Sequence, residues 1–328
     1  MQLKTIAFID ANPNSPIKPE HKLMLQNTAP DSELLFFESI KEMMNTCRDL
    51  DALFMWPDIT PEFVQWCSDA VSLKWIHMFI SGVDAIMASD VGKMDKIRIS
   101  STKGIHGPPM SDQTLAYIFS FLRQIPAGVR SQMKQEWNSG LMKICDESFS
   151  KTVGLIGLGA IGQEIARKCK LLGMRVIAAK RNPIDCQWVD ECMNISMLNT
   201  LLEQSDFVIL ILPLTDESRN MIGIEELKKM KRSAYLINIA RGGIVDHDAL
   251  IGALKSGQIA GAALDIFEKE PLPPENPLWG FDNVIITPHT SPHSPYYMDR
   301  AIKVIGENLG RYLKDDPLLF EVDKKAGV

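Results

Sequence analysis

The stretch that most constrains the fold is SKTVGLIGLGAIGQEIARK, beginning at Ser150. In it an apolar run ending at Ile156 meets Gly157, Gly159 and Gly162 and then a helical pattern. Each glycine answers a separate physical need: a tight turn, close approach of the backbone to a pyrophosphate, and close packing of helix on strand. A plain strand-to-helix turn needs only one. The helix carries Ile161, Ile165, Cys169 and Leu172 on one stripe, with Gln163, Glu164, Arg167 and Lys168 facing away. One face is therefore expected on a sheet and the other in water. Its first turn presents free N–H groups and a favourable dipole to an anion. Gly157, Gly159, Ala160, Ile161 and Gly162 are thus expected to cradle the pyrophosphate of a dinucleotide.

Short β-rich runs alternate with helical patterns along the whole chain, the mark of an α/β protein with parallel sheets. LKTIAFID near the start echoes SKTVGLIG, which suggests two units that each open on a central strand. Strands are expected near Thr5–Ile9, Ala52–Trp56, Trp75–Phe79 and Ile97–Ser100 in the first unit. In the second they are expected near Val153–Ile156, Val176–Ala179, Phe207–Leu212, Tyr235–Ile239, Ala260–Leu264 and Val284–Ile286. A helix from Tyr296 to Leu313, broken by Asp315, Asp316 and Pro317, precedes an apolar run from Leu318 to Val322 that is expected to return to the first domain. At 328 residues the chain exceeds the usual size of a single core. The expected fold is α/β, with two Rossmann-like or flavodoxin-like parallel-sheet domains and a cleft between them. Residues 1–101 with 293–328 would form a substrate-binding domain and residues 102–292 a dinucleotide-binding Rossmann domain.

Composition narrows the partners. A formal charge of −6 gives no basic surface for nucleic acid, and a small molecule fits better. The six cysteines form no Cys-x-x-Cys pair and no disulfide density, so a reducing compartment is implied. With neither a signal peptide nor an apolar stretch of roughly 20 residues, the chain is expected in the cytoplasm, away from membranes. Metal, P-loop and serine-hydrolase signatures are absent from the sequence.

At the end of the second strand of the nucleotide unit, where an acidic residue normally holds the ribose of NAD, the sequence reads Ala178, Ala179, Lys180, Arg181, Asn182. No carboxylate there would repel a 2′-phosphate, and Lys180 and Arg181 are suited to pair with one. NADP is therefore favoured over NAD, with solvated loop charges as the plain alternative. Arg241, Asp265, Glu270 and His289 follow the carboxyl ends of successive expected strands, the edge at which open α/β sheets bind ligands. A guanidinium binds carboxylate and carbonyl oxygens in fixed geometry. An imidazole gives and takes a proton around neutrality, and an adjacent carboxylate tunes it. Each of these residues also has a structural reading, as an ion-pair partner, a solvated loop carboxylate or a turn histidine; their joint placement favours the chemical one.

The pieces GLIGLGAIGQEIA, LPLTDES, INIARGGIVD, ALDIFEKEPLP and NVIITPHTS, with SGVD at Ser81 to Asp84, occur in one order over nearly the whole chain. In this the chain resembles the D-isomer-specific 2-hydroxyacid dehydrogenases, specifically the glyoxylate/hydroxypyruvate reductase-like members. The resemblance implies a nicotinamide-dependent oxidoreductase with Arg241, Glu270 and His289 as catalytic arginine, glutamate and histidine. It places Pro213 and Ala240 along the cofactor and Asp265 beside the nicotinamide carboxamide. The backbone N–H groups of Gly82 and Val83, with Ser81, would hold the substrate carboxylate together with Arg241. Trp56 either walls that pocket or belongs to the core. A homodimer through the cofactor domains, with Gln113 to Trp137 supplying part of the contact, is also implied. Lys180 departs from the acidic residue of many NAD-using members, and Thr290, Ser291 and Pro292 replace a glycine-containing turn. His106 and His293 read as structural or surface residues. The expected reaction is transfer of a hydride from NADPH to a small 2-keto acid such as glyoxylate, hydroxypyruvate or a larger homologue. A 3-phosphoglycerate dehydrogenase is the alternative within the enzymes, and a nonenzymatic NAD(H)-sensing binding protein the alternative outside them.

Overall fold

A computed structural model of the chain describes residues 3–12, 15–48 and 50–324. It divides into two compact units, one made of residues up to Ile105 together with those from Ser294, the other of His106–His293. The strands of the first unit are β1 (Thr5–Ile9), β2 (Glu33–Phe37), β3 (Ala52–Met55), β4 (Trp75–Met78) and β5 (Arg98–Ser101). Those of the second are β6 (Thr152–Ile156), β7 (Arg175–Lys180), β8 (Glu191–Asn194), β9 (Phe207–Leu210), β10 (Tyr235–Asn238), β11 (Gly261–Leu264) and β12 (Val284–Ile286). Every pairing within the two sheets is parallel.

The first sheet has the order β2-β1-β3-β4-β5, so its strand order reverses between β1 and β3. The second has the order β12-β11-β10-β9-β6-β7-β8 and reverses between β6 and β9. These are the flavodoxin-like and Rossmann arrangements, and such reversals open a crevice at the carboxyl ends of the flanking strands. Each sheet is covered on both faces, because alternate residues of a strand point to opposite sides. In the second unit Ile156, Val208, Leu210 and Leu236 enter one core, and Leu155, Ile209 and Ile237 enter another. In the first, Ile9, Leu53 and Ile76 face one core while Phe8, Phe54 and Trp75 face the other.

The Tyr297–Leu313 helix lays Met298, Ala301, Ile302, Ile305, Leu309 and Tyr312 into the Phe8 and Trp75 core. Beyond it, Glu321 bridges to Ser100 and pairs with Arg98 at 2.7 Å. Within this unit His77 is fully buried between the hydroxyls of Ser100 (2.7 Å) and Thr102 (3.0 Å). Burial pushes its imidazole down to about 3, so the ring is neutral.

Two strands escaped the sequence reading, and both lie at sheet edges. ECMN of β8 buries only Met193 and has no apolar run, whereas ELLFF of β2 carries four consecutive apolar residues of which only Phe37 is buried. The amphipathic stripe also needs correction at its end. The helix stops at Leu171, and Leu172 is 38% exposed, because Gly173 turns the chain at φ +78. The buried stripe is Gly162, Ile165, Ala166 and Cys169.

Candidate active site

The glycine loop spans the gap between β6 and the Ala160–Leu171 helix, beside the β6/β9 reversal. Gly157 has φ +103, and a Cβ there would lie 2.2 Å from the carbonyl oxygen of Ile211, just past β9. A Cβ on Gly162 would lie 2.8 Å from the oxygen of Gly157. These two glycines are demanded by the protein's own packing. Gly159 is different: a Cβ there would meet nothing within 4 Å, although the residue caps the helix. Space left at a helix N-terminus above a bare backbone suits the close approach of a pyrophosphate, so the loop fits a dinucleotide.

Lys180 ends β7, and the exposed Arg181 follows it. The Asn194 side chain donates to the Arg181 carbonyl at 2.7 Å, and the Arg181 guanidinium lies 3.6 Å from Glu217. Pro213, three residues past β9, is tied by its carbonyl to the hydroxyl of the buried Ser218 at 2.8 Å.

At the end of β10, the buried Asn238 clamps the next turn: its amide donates to the Arg241 carbonyl, and its oxygen accepts the N–H of Ala240, both at 3.0 Å. The Arg241 guanidinium donates to the Ala240 carbonyl at 2.8 Å. A Cβ on Gly242 would stand 2.1 Å from the backbone of Phe267 and Glu268. Glycine is what lets the Arg241 turn press against the loop that carries Glu270.

Within that loop Glu270 uses its two oxygens differently. Oε1 accepts the Phe267 N–H, and Oε2 faces Nδ1 of His289, each at 2.9 Å. A carboxylate only accepts, so Nδ1 carries the hydrogen and Nε2 is left for other chemistry. His289 sits past β12 with φ +53, a left-handed conformation that side chains other than glycine seldom adopt. It is held there by its own N–H bonded to the carbonyls of Asp265 (2.9 Å) and Thr287 (3.0 Å).

Asp265 does more in this turn than its sequence position suggested. Asp265, expected beside the nicotinamide, is wholly buried, and both of its oxygens accept hydrogen bonds from the protein. Oδ1 accepts from the Thr287 hydroxyl and, at 2.9 Å, from the N–H of Thr290; Oδ2 accepts the Ser291 N–H, also at 2.9 Å. Tyr117, on the Gly107–Leu122 helix, shares a hydrogen bond with the Thr287 hydroxyl. Burial pushes the Tyr117 phenol up to about 12, so it stays protonated. Tyr117, Thr287, Asn238 and Ser218 were not anticipated, because their role lies in contacts far apart in sequence. His106 is buried at the start of the Gly107–Leu122 helix, and His293 is exposed.

In the first unit, Trp56 follows β3, and its ring lies 5.6 Å from Phe79 and 5.4 Å from Tyr297. Ser81 donates to the Thr102 carbonyl at 3.3 Å, and Gly82 and Val83 lead into the Asp84–Ala88 helix. Among the described residues no group of three or more His, Cys, Asp or Glu is placed to hold a metal ion. No helix among them is long and apolar enough to cross a membrane.

The family model described as D-isomer specific 2-hydroxyacid dehydrogenase, NAD binding domain, matches residues 115–291. A glyoxylate reductase of Korarchaeum cryptofilum is 33% identical over 290 residues, 87% of this chain and 84% of that protein. A D-isomer specific 2-hydroxyacid dehydrogenase of Xanthobacter autotrophicus Py2, solved with NADPH and MES, superposes with a TM-score of 0.84 at 28% identity over 100% of both chains. An NADPH-dependent glyoxylate/hydroxypyruvate reductase of Sinorhizobium meliloti, solved with NADP and sulfate, gives 0.81 at 26% identity, covering 99% of this chain and 100% of the other. With the glycine loop, the arginine turn and the Glu270–His289 pair in this order on a Rossmann sheet, the chain belongs to the D-isomer specific 2-hydroxyacid dehydrogenase family.

Proposed function

We propose that this chain reduces glyoxylate, hydroxypyruvate or a larger 2-keto acid to the D-2-hydroxy acid, using NADPH ahead of NADH. The observation that carries this reading is the 2.9 Å pairing of His289 with Glu270, on a loop pressed against the Arg241 turn. The nicotinamide, when bound, supplies the hydride that adds to the keto carbon. Arg241 is charged at every working pH and presents a planar fork, so it binds carboxylate and keto oxygens and draws electron density from the carbonyl. Nε2 of His289 donates the proton that completes the alcohol. Glu270 holds Nδ1–H and thereby fixes which ring nitrogen faces the substrate. The N–H groups of Gly82 and Val83 hold the substrate carboxylate, with Ser81 and Trp56 beside them.

Gly157, Gly159, Ala160, Ile161 and Gly162 hold the pyrophosphate, while Pro213 and Ala240 line the remainder of the cofactor. Lys180 and Arg181 pair with the 2′-phosphate. The NADPH and NADP bound by the Xanthobacter and Sinorhizobium relatives support that preference. Ile125, Val129, Met133 and Trp137 recur every four residues and are 53%, 49%, 81% and 96% exposed. Ile125, Val129 and Met133 share one face of the Ile125–Met133 helix, with Trp137 just beyond it, and this exposed apolar row supports a homodimer. The six cysteines, none of them in a disulfide among the described residues, support a cytoplasmic enzyme.

A steady-state screen of 2-keto acids with NADPH and with NADH tests the whole reading. Turnover of at least one acid, with NADPH preferred, is expected, and replacing His289 by Ala should lower turnover by about two to four orders of magnitude. A tenfold preference for NADH would refute the reading of Lys180 and Arg181. Tight cofactor binding without turnover of any acid would favour a nonenzymatic NAD(H) sensor.

A further inference from the structure

Two donor groups of the first unit are buried and have no hydrogen-bond partner among the described residues: the indole Nε1 of Trp56, and Nε and Nη2 of Arg300. They belong to one neighbourhood. Trp56 packs 5.4 Å from the ring of Tyr297. Arg300 lies three residues further along the Tyr297–Leu313 helix, a spacing that places both side chains on one face. Burial pushes the Tyr297 phenol up, and the Arg300 cation opposes that rise. The Tyr297 hydroxyl in turn donates to the carbonyl of Phe79, at the start of the segment that leads to Ser81, Gly82 and Val83. Trp56 and Phe79 directly follow β3 and β4, so Trp56 and the carbonyl held by Tyr297 stand at the carboxyl edge of the sheet, where β3 flanks the reversal in strand order.

Such an arrangement is unfavourable unless something answers it. Arg300 is part-buried, and two of its guanidinium nitrogens are shut away from solvent without an acceptor, a costly arrangement for charged donors. The adjacent carboxylate of Asp299 does not relieve it, being held by Lys18 at 2.7 Å and His21 at 2.9 Å. An apolar residue would pack against Tyr297 and Trp56 without this penalty. Tryptophan and arginine offer donors only, so what they lack is an anionic acceptor.

We propose that Arg300 and Trp56 form a subsite for a second acidic group, carboxylate or phosphate, on the 2-keto acid substrate. The assignment builds on the reductase reading above, in which the carboxylate common to all such substrates is held by Gly82 and Val83. The preferred substrate class is then a 2-keto acid that is acidic at both ends.

The test compares kcat/KM for oxaloacetate, 3-phosphohydroxypyruvate and glyoxylate in the unaltered chain and in Arg300→Met, Arg300→Lys and Trp56→Phe. Arg300→Met should lower the ratio of at least one doubly acidic substrate to glyoxylate by about a hundredfold, the loss expected for a charge-assisted contact. Lysine should restore part of that ratio, and Trp56→Phe should lower it less. The substrate that responds tells carboxylate from phosphate. A ratio unchanged by Arg300→Met overturns the subsite, whether both rates fall together or neither falls. Thermal unfolding gives a second readout that needs no turnover. D-malate or D-3-phosphoglycerate should raise the Tm of the unaltered chain more than D-lactate does, and Arg300→Met should abolish that difference while raising the Tm of the free protein. A large fall in the free protein's Tm would make Arg300 a structural residue and refute the proposal. Absence of turnover on every 2-keto acid would instead strike the reductase reading, and the unfolding comparison would still decide the subsite.

Discussion

Oδ2 of Asp265 accepts the backbone N–H of Ser291 at 2.9 Å, joining the end of β11 to the turn past β12. With Oδ1 on Thr290, it fastens both residues that follow His289. Asp265→Asn keeps the shape but turns an amide NH2 toward a backbone N–H, leaving donors unsatisfied in a buried place. A loss of about 3 kcal/mol is expected from denaturant unfolding. The kcat should fall at least tenfold, because the His289 turn loosens, while cofactor affinity changes little. Weaker cofactor binding at unaltered kcat would instead place the main role of Asp265 beside the nicotinamide.

The three glycines of the loop should separate under substitution by alanine. At Gly157 a Cβ meets the Ile211 carbonyl at 2.2 Å and φ is +103, so Gly157→Ala is expected to destabilise the protein by about 2 kcal/mol or more. Gly159→Ala enters open space and should change stability by less than about 0.5 kcal/mol. Its effect is expected on NADPH, with Kd rising tenfold or more, since a methyl group would occupy the approach of the pyrophosphate. Calorimetric titration alongside thermal unfolding checks both; unaltered NADPH affinity in Gly159→Ala would remove the loop from the cofactor site.

Glu217 lies 3.6 Å from the guanidinium of Arg181 and would compete with a 2′-phosphate for it. Glu217→Gln should tighten NADPH binding about two- to fivefold and leave NADH nearly unaffected, while Arg181→Ala should weaken NADPH about tenfold. Both effects should shrink as salt is raised, because these groups are exposed.

The pH dependence of stability should carry a signature of His77. Its imidazole, ordinarily near 6.5, is held at about 3 in the fold by burial. Below pH 6.5 the unfolded chain binds a proton that the native state refuses, so stability should decline as pH falls from 6.5 toward 3, by at most about 1.4 kcal/mol per pH unit. His77→Gln should flatten that decline in urea titrations at several pH values, while lowering stability at pH 7 through the altered contacts with Ser100 and Thr102. An equally steep decline in the variant would place the acid sensitivity elsewhere.

How much the chain discloses before folding follows from the range over which each signal acts. The glycine loop, its strand and its helix lie within about twenty consecutive residues, and the reasons for their composition are local; they were legible as written. So were the central strands, whose coverage on both faces requires continuous apolar runs, and so was the order of Arg241, Glu270 and His289 at strand ends. Edge strand β8 was not, because its half-buried and exposed positions impose no such run, whereas β2 carries the apolar run LLFF at an edge position.

Tertiary structure alone decided who touches whom. His289 meets Glu270 because β11 and β12 pair in parallel, Leu264 opposite Ile286, which brings the loops after them side by side. The same register turns Asp265 inward to bind the His289 turn, a role that no spacing in the sequence announces. Trp56 and Tyr297, 241 positions apart by their numbers, become neighbours only when the Tyr297–Leu313 helix packs on the first sheet. Residue type and local period act over a few bonds and can be read in order along a chain. Burial of an unanswered charge, by contrast, is a property of the packed solid, and only the fold creates it.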